Sequence, residues 1–262
     1  MKLPLYQVDA FTGRLFGGNP AAVVLLEAWL PDEVLAAIAA ENNLAETAFV
    51  IPRTDLAPLR WFTPTVEVDL CGHATLATAH VLFHHRFPSL DRLAFSTHTG
   101  ELIVTRDDGL LSMDFPVRPG APVEVSDALA SALGVRPREA LRARDLLTIL
   151  DSEAEVRALR PDMQGIAALD EFAVIVSAPG DTTDFVSRFF APRAGIPEDP
   201  VTGSAHCTLV PYWASRLGKS TLTAKQVSAR GGDLVCELRG DRVVMAGRTV
   251  EYLRGEITVE DS

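Results

Sequence analysis

An internal repeat constrains the fold of this chain more than any other feature of its sequence. Residues 96–102 (Ser-Thr-His-Thr-Gly-Glu-Leu) recur 132 positions later as residues 228–234 (Ser-Ala-Arg-Gly-Gly-Asp-Leu). Two upstream pairs also match: Phe62-Thr63-Pro64 with Phe190-Ala191-Pro192, and Cys71-Gly72-His73-Ala74 with Thr202-Gly203-Ser204-Ala205. The repeat predicts two half-domains of similar structure.

Each half is predicted to contain one helix that begins at a glycine. After Gly203, apolar residues recur every fourth position, and a similar apolar face follows Gly72. A third helix is predicted over residues 32–42, after Pro31. Strands are predicted at residues 3–9, 21–26, 46–51, 93–97, 101–106, 110–115, 171–177, 233–238 and 242–247.

This order of elements predicts an α+β fold rather than an alternating βαβ fold. Each of two pseudo-symmetric lobes would be a β-barrel-like sheet wrapped around a central helix. The Pro- and Gly-rich stretch 118–137, with a short helix near Ala128, is the predicted link. We therefore expect lobes at residues 1–120 and 121–262, with terminal strands that can cross between them.

Composition limits which binding partners and which cellular compartment we expect for this protein. The net charge of -11 would repel a phosphate backbone, so nucleic acid is not an expected partner. The longest apolar stretch, residues 21–26, is too short to span a membrane, and the N-terminus lacks the pattern of a signal peptide. The three cysteines are expected to be free thiols, Cys207 and Cys236 in the core. We expect a cytoplasmic protein.

The two predicted helix starts are candidate binding positions for an anion. Backbone N–H groups in the first turn of a helix lack partners and attract a carboxylate, and a glycine allows close approach. If the halves face each other, both starts would line one cleft that binds a small anionic metabolite. The residues beside these starts with useful chemistry are Cys71, His73, Asp199, Thr202 and Ser204. Alternatively, both glycines only make tight turns.

Five segments in the same order resemble the PhzF family of phenazine biosynthesis-like proteins. They are Gly18-Asn19-Pro20-Ala21-Ala22-Val23, Leu44-Ala45-Glu46-Thr47-Ala48-Phe49, Cys71-Gly72-His73-Ala74-Thr75, Glu198-Asp199-Pro200-Val201-Thr202-Gly203-Ser204-Ala205-His206 and Ser228-Ala229-Arg230-Gly231-Gly232. The resemblance covers nearly the whole chain. It implies the two-lobed fold of diaminopimelate epimerase, often as a homodimer, and a cofactor-independent isomerase.

The resemblance also implies the roles of particular residues. In the characterised isomerase of the family, a glutamate that matches Glu46 carries a proton between carbons of a dihydro-hydroxyanthranilate. His73 and Asp199 match its other catalytic residues, and Ser204 matches its serine. Asn19 is expected near the cleft as a substrate-binding residue. Cys71, Gly72, Thr202, Gly203 and Ser204 complete the predicted substrate-binding set.

Local physical chemistry gives two further expectations. Glu46 lies among apolar residues, which predicts partial desolvation and a raised pKa suited to proton transfer. Cys71 at a helix start is expected to have a lowered pKa, although it could instead be a small buried filler. Related epimerases use two thiols, whereas here the matching pair is Cys71 and Thr202, so two-thiol racemisation is not favoured.

Other functions remain as alternatives. One is a non-catalytic metabolite-binding homodimer, since a fold does not establish an activity. Another is a Cys71-dependent hydrolase or racemase, disfavoured because side chains two residues apart, Cys71 and His73, are expected to point in different directions. No metal site is predicted, because His80, His84 and His85 lack a further ligand nearby. No nucleotide-binding loop is present, and no cofactor is expected.

Overall fold

A computed structural model describes residues 1–260 as two compact units. The first comprises Met1–Met113 with residues 246–260, and the second is Asp114–Met245. The sequence predicts lobes at 1–120 and 121–262 with terminal strands able to cross. In the structure, the strand that ends the described chain pairs with the strand that begins it.

The elements are as follows. The strands are β1 (Lys2–Ala10), β2 (Asn19–Leu25), β3 (Glu46–Val50), β4 (Ala57–Phe62), β5 (Glu67–Val68), β6 (Arg92–Thr97), β7 (Gly100–Asp107), β8 (Leu110–Pro116), β9 (Ala121–Val123), β10 (Glu139–Arg142), β11 (Leu146–Ile149), β12 (Val174–Pro179), β13 (Phe185–Phe190), β14 (Thr221–Gln226), β15 (Gly232–Arg239), β16 (Arg242–Gly247) and β17 (Thr249–Thr258). The helices are α1 (Asp32–Asn42), α2 (Gly72–His85), α3 (Asp127–Leu133), α4 (Glu153–Ala158), α5 (Met163–Ala167) and α6 (Gly203–Leu217).

In the first unit, a sheet surrounds α2. Its strands pair in the order β17, β1, β2, β3, β4, β6 and β7, with parallel pairing between β2 and β3 and between β4 and β6. Helix α2 contacts β1, β2, β3 and β7, and every residue from His73 to Phe83 is buried. A helix with no solvent-exposed face over three turns is a central core helix, which holds its first turn in a fixed position.

The second unit repeats this plan with α6. Its strands pair in the order β9 to β15, and α6 contacts β14 and β15. Pro211 lies inside α6 and has no N–H to donate to the carbonyl of Cys207. The backbone N–H of Arg118 donates to that carbonyl instead, at 2.8 Å. The connecting segment before β9 thereby compensates for the proline.

The predicted α+β fold, with a sheet around one helix in each half, is confirmed. Helix α1 spans the predicted residues, and α2 and α6 begin at Gly72 and Gly203. The repeat is visible in the backbone, because β7 and β15 begin at the matching Gly100 and Gly232. Strands β4 and β13, which the sequence did not predict, both end at the duplicated phenylalanine.

The three cysteines, two of which are predicted to lie in the core, occupy interior positions. Cys71, Cys207 and Cys236 are all free and buried. Among the described residues, none of the helices has both the length and the apolar character required to cross a bilayer.

A tight turn before β2 requires glycine at position 18. The backbone of Gly18 has φ +63°, and a Cβ there would lie 2.1 Å from the carbonyl oxygen of Ala10. No side chain fits at that distance. The turn sets the start of β2 and therefore the position of Asn19, the first residue of that strand.

Gly18→Ala is expected to lower the free energy of unfolding by about 2–5 kcal/mol, because it adds a steric overlap to an unfavourable left-handed backbone. Gly240→Ala is the matched control, since Gly240 has φ +61° and open space around its Cβ position. The control should cost only about 1–2 kcal/mol. Equal losses of stability in chemical denaturation would show that the overlap at Gly18 is relieved without cost.

Candidate active site

The first turn of α2 gathers four of the predicted residues around one imidazole. Cys71 is the residue before the helix, with an extended backbone at φ -142°, and His73 is the second residue of the helix. Glu46 begins β3, and Asn19 begins β2. Because β2 and β3 are paired and both pack on α2, the two strand starts meet the helix start.

His73 lies at the centre of this cluster, with a neighbour at each ring nitrogen. Its Nε2 lies 3.2 Å from a carboxylate oxygen of Glu46, at an angle outside that of a good hydrogen bond, so the contact is an ion pair. Its Nδ1 lies 3.5 Å from the Cys71 sulfur and 3.3 Å from the Asn19 amide nitrogen. The side chains of His73 and Glu46 are only 8% and 13% exposed, so solvent screens their attraction weakly.

The ionisation of these groups is coupled. Burial is the largest influence on the pKa of Glu46 and raises it, but the charge of His73 and contacts with His73 and Cys71 outweigh burial, so the pKa is lowered. Burial opposes charge on His73 too, yet the adjacent Cys71 and Glu46 raise its pKa well above the ordinary value. Both shifts favour a carboxylate on Glu46 paired with an imidazolium on His73.

Three expectations about this cluster are wrong. The pKa of Glu46 is lowered rather than raised, because His73, a residue of another element, lies beside the carboxylate and carries positive charge. The pKa of Cys71 is raised rather than lowered, because burial and then the charge of Glu46 both disfavour a thiolate. Cys71 and His73 do not point apart but are in contact, since the extended backbone of Cys71 turns its sulfur toward the helix start.

In the second unit, the start of α6 holds a different cluster. The Thr202 hydroxyl donates to the Asp199 carboxylate at 2.5 Å. The side-chain oxygen of Gln226 accepts a hydrogen bond from the backbone N–H of Thr202. The side-chain nitrogen of Gln226 donates to the backbone carbonyl of Asp199 and to the hydroxyl of Thr202. Asp199 and Thr202 are thus brought together. Gly203 and Ser204, the first two residues of α6, follow Thr202 directly and are both partly exposed.

Gln226 is the site residue that sequence reasoning missed. It is fully buried at the end of β14, where Leu222 and Ala224 precede it on the same buried face. A polar residue that ends an apolar, alternating face is a signal that could have found it. Its three hydrogen bonds fix the loop that leads into α6.

The best-placed candidate metal ligands are not the histidines considered from the sequence. His84 Nδ1 lies 2.8 Å from the His80 carbonyl oxygen, and His85 pairs with Glu251 at 2.6 Å. Among the described residues, the donor atoms of Glu46, Cys71 and His73 lie within 4.8 Å of one another. Sulfur and carboxylate approach different ring nitrogens, so their side chains would have to rearrange before all three could contact one ion.

Comparison with known proteins agrees with this arrangement. The sequence profile of the phenazine biosynthesis-like (PhzC-PhzF) family matches residues 8–255. An uncharacterized isomerase of Pseudomonas aeruginosa is 53% identical, over 98% of this chain and 99% of that protein. The crystal structure of a PhzF-family protein from Enterococcus faecalis has a TM-score of 0.97 and 46% identity, over 99% of this chain and 100% of that one.

More distant likeness extends to the fold alone. A hydroxyproline epimerase from Agrobacterium vitis has a TM-score of 0.63 at 10% identity, over 99% of this chain and 93% of that one. The α+β architecture with a sheet around each central helix is thus shared with epimerases of the diaminopimelate epimerase type. With this fold and its isomerase relatives, the chain belongs to the PhzF family of phenazine biosynthesis-like isomerases.

Proposed function

We propose that this isomerase transfers a proton between two carbons of a small, carboxylate-bearing metabolite, with Glu46 as the general acid and base. The observation that carries the proposal is the largely buried ion pair of Glu46 and His73. A base must be deprotonated to accept a proton, and the neighbouring positive charge keeps Glu46 in that state despite burial.

The chemistry needs no external proton carrier. The Glu46 carboxylate removes a proton from an acidic carbon, and the electron pair left behind delocalises toward an electron-withdrawing group of the substrate. His73 then carries positive charge beside a newly neutral carboxyl, which stabilises the anionic intermediate. The carboxyl proton exchanges with solvent during the lifetime of the intermediate, Glu46 delivers a proton to another carbon on the same face, and the carboxylate is restored.

The substrate is proposed to be an anion although the protein is strongly acidic. The first-turn N–H groups at Gly72 and Gly203 supply partial positive charge without a cationic side chain. Asp199 and Thr202, joined by a hydrogen bond, and the adjacent Ser204 supply polar groups for the remaining substrate atoms. Asn19 acts on the same site through its contact with His73. That the two helix starts share one pocket stays a prediction.

The oligomeric state, the location and the cofactor requirement of the enzyme are also proposals. We propose a homodimer that works in the cytoplasm with no metal or organic cofactor. The free thiols fit a reducing compartment. The net charge of -11 supports the proposal that nucleic acid is not a partner.

Glu46→Gln is expected to slow proton exchange at carbon strongly. In deuterium oxide, the wild-type protein should incorporate deuterium into a dihydro-hydroxyanthranilate or another small carboxylate from a panel, followed by mass spectrometry. The variant should be slower by about 10²–10⁴-fold, the usual contribution of a general acid or base. Glu41→Gln, which alters an exposed glutamate of α1, is the matched control and should exchange like wild type.

Equal labelling by wild type and Glu46→Gln would remove Glu46 from its assigned role. Saturable binding of a panel member without labelling by either protein would instead favour the non-catalytic metabolite-binding alternative.

The pH dependence of the reaction should reveal the effect of His73. Because the pKa of Glu46 is lowered from 4.5, the base stays ionised and exchange should persist below that pH in wild type. In His73→Asn, burial is no longer opposed by the imidazolium, so the acid limb of the rate profile should move to higher pH. An unchanged acid limb would show that His73 does not set the ionisation of Glu46.

A further inference from the structure

Cys71 lies beside His73 and close to Glu46, so a thiol, an imidazole and a carboxylate meet at the start of α2. Cys71 takes no part in the proposed proton transfer, which requires Glu46 and His73. We propose that Cys71 is also a nucleophile, which takes the acyl group from small activated esters with His73 as its base. This activity goes beyond the isomerase reaction and does not depend on it.

The contacts match what nucleophilic catalysis requires. The Cys71 sulfur lies 3.5 Å from His73 Nδ1, within the contact distance of a thiol and an imidazole. The other ring nitrogen lies 3.2 Å from a Glu46 oxygen without the angle of a good hydrogen bond, so Glu46 stabilises the charged form of the ring through its charge. A thiol in contact with an imidazole is the nucleophile and base of acyl-transfer enzymes with unrelated folds.

The start of α2 supplies the electrophilic half of the site. Cys71 directly precedes the helix, so the N–H groups of Gly72 and His73 lie in its first turn, where helical carbonyl partners are lacking. Such groups stabilise the oxyanion that forms when a thiolate attacks a carbonyl carbon. The nucleophile and the oxyanion donors are therefore neighbours in sequence.

The reaction balances with the groups present. His73 Nδ1 accepts the thiol proton as sulfur bonds to the acyl carbon, and the alkoxide or phenoxide leaves with a proton from His73. Water then attacks the thioester with His73 again as the base, releasing the acid and restoring the thiol. No oxidant, reductant or further reactant is required.

The ionisable groups of the cluster determine how acylation depends on pH. The titratable groups that face the sulfur are Glu46 of β3 and His73 of α2. Burial and the Glu46 charge raise the pKa of the thiol, and the pKa of His73 is raised too, which favours the protonated form of each group. Acylation should therefore accelerate as the pH rises and His73 becomes free to accept the thiol proton.

The test uses p-nitrophenyl acetate on the folded, full-length protein, with peptide mapping of the acetyl group by mass spectrometry. Cys71, 6% exposed, should be acetylated at least about ten-fold faster than Cys207 and Cys236, which are 2% and 0% exposed. Cys71→Ala should lose the acetyl-thioester. Cys207→Ala, the matched control, should react like wild type. His73→Asn should slow acylation by about 10²-fold or more.

The site mapping on wild-type protein decides the question even if a variant fails to fold. No acetyl group on Cys71, or acetylation of Cys71 no faster than of Cys207, would overturn the proposal. An unchanged rate in a folded His73→Asn protein would overturn it as well. Because no isomerase substrate is present, failure of the proton-transfer function would leave these readings unaffected.

Discussion

The ion pair between Glu46 and His73 is the interaction on which the functional account depends. Taken alone, each group would be disfavoured in its charged form by burial, and together they remain charged. Removing one partner of a buried pair leaves an uncompensated charge, at a cost of up to about 3–5 kcal/mol. The core helix α2 and the paired strands β2 and β3 hold the pair in place, so the fold and the reactivity share one set of contacts.

The two units share one structural plan but differ in the residues at the start of the central helix. Both units surround a helix that begins at a glycine, yet the residue before that glycine is Cys71 in one and Thr202 in the other. In the first unit the sulfur joins a chain of ionisable groups. In the second unit, the Thr202 hydroxyl donates to Asp199 and accepts from Gln226, and this network orders the backbone before α6.

The sequence was informative where local chemistry decides the structure. A glycine followed by an apolar stripe predicted the first residue of α2 and of α6, and the repeat predicted two halves of similar structure. Short strands such as β10 and β11 were missed because four residues carry too little periodic signal. The burial of Glu46 could be read from its apolar neighbours. The sign of its pKa shift could not, because the deciding charge belongs to a residue on another element.

The most direct measurement of the central claim is the titration of the Glu46 carboxyl itself. With glutamate labelled by ¹³C at the carboxyl carbon, the Glu46 signal is assigned by its absence in Glu46→Gln and followed by NMR against pH. We predict a midpoint below the ordinary glutamate value of 4.5. A midpoint at or above that value would mean that burial outweighs His73, and the buried ion pair would not be the basis of the site.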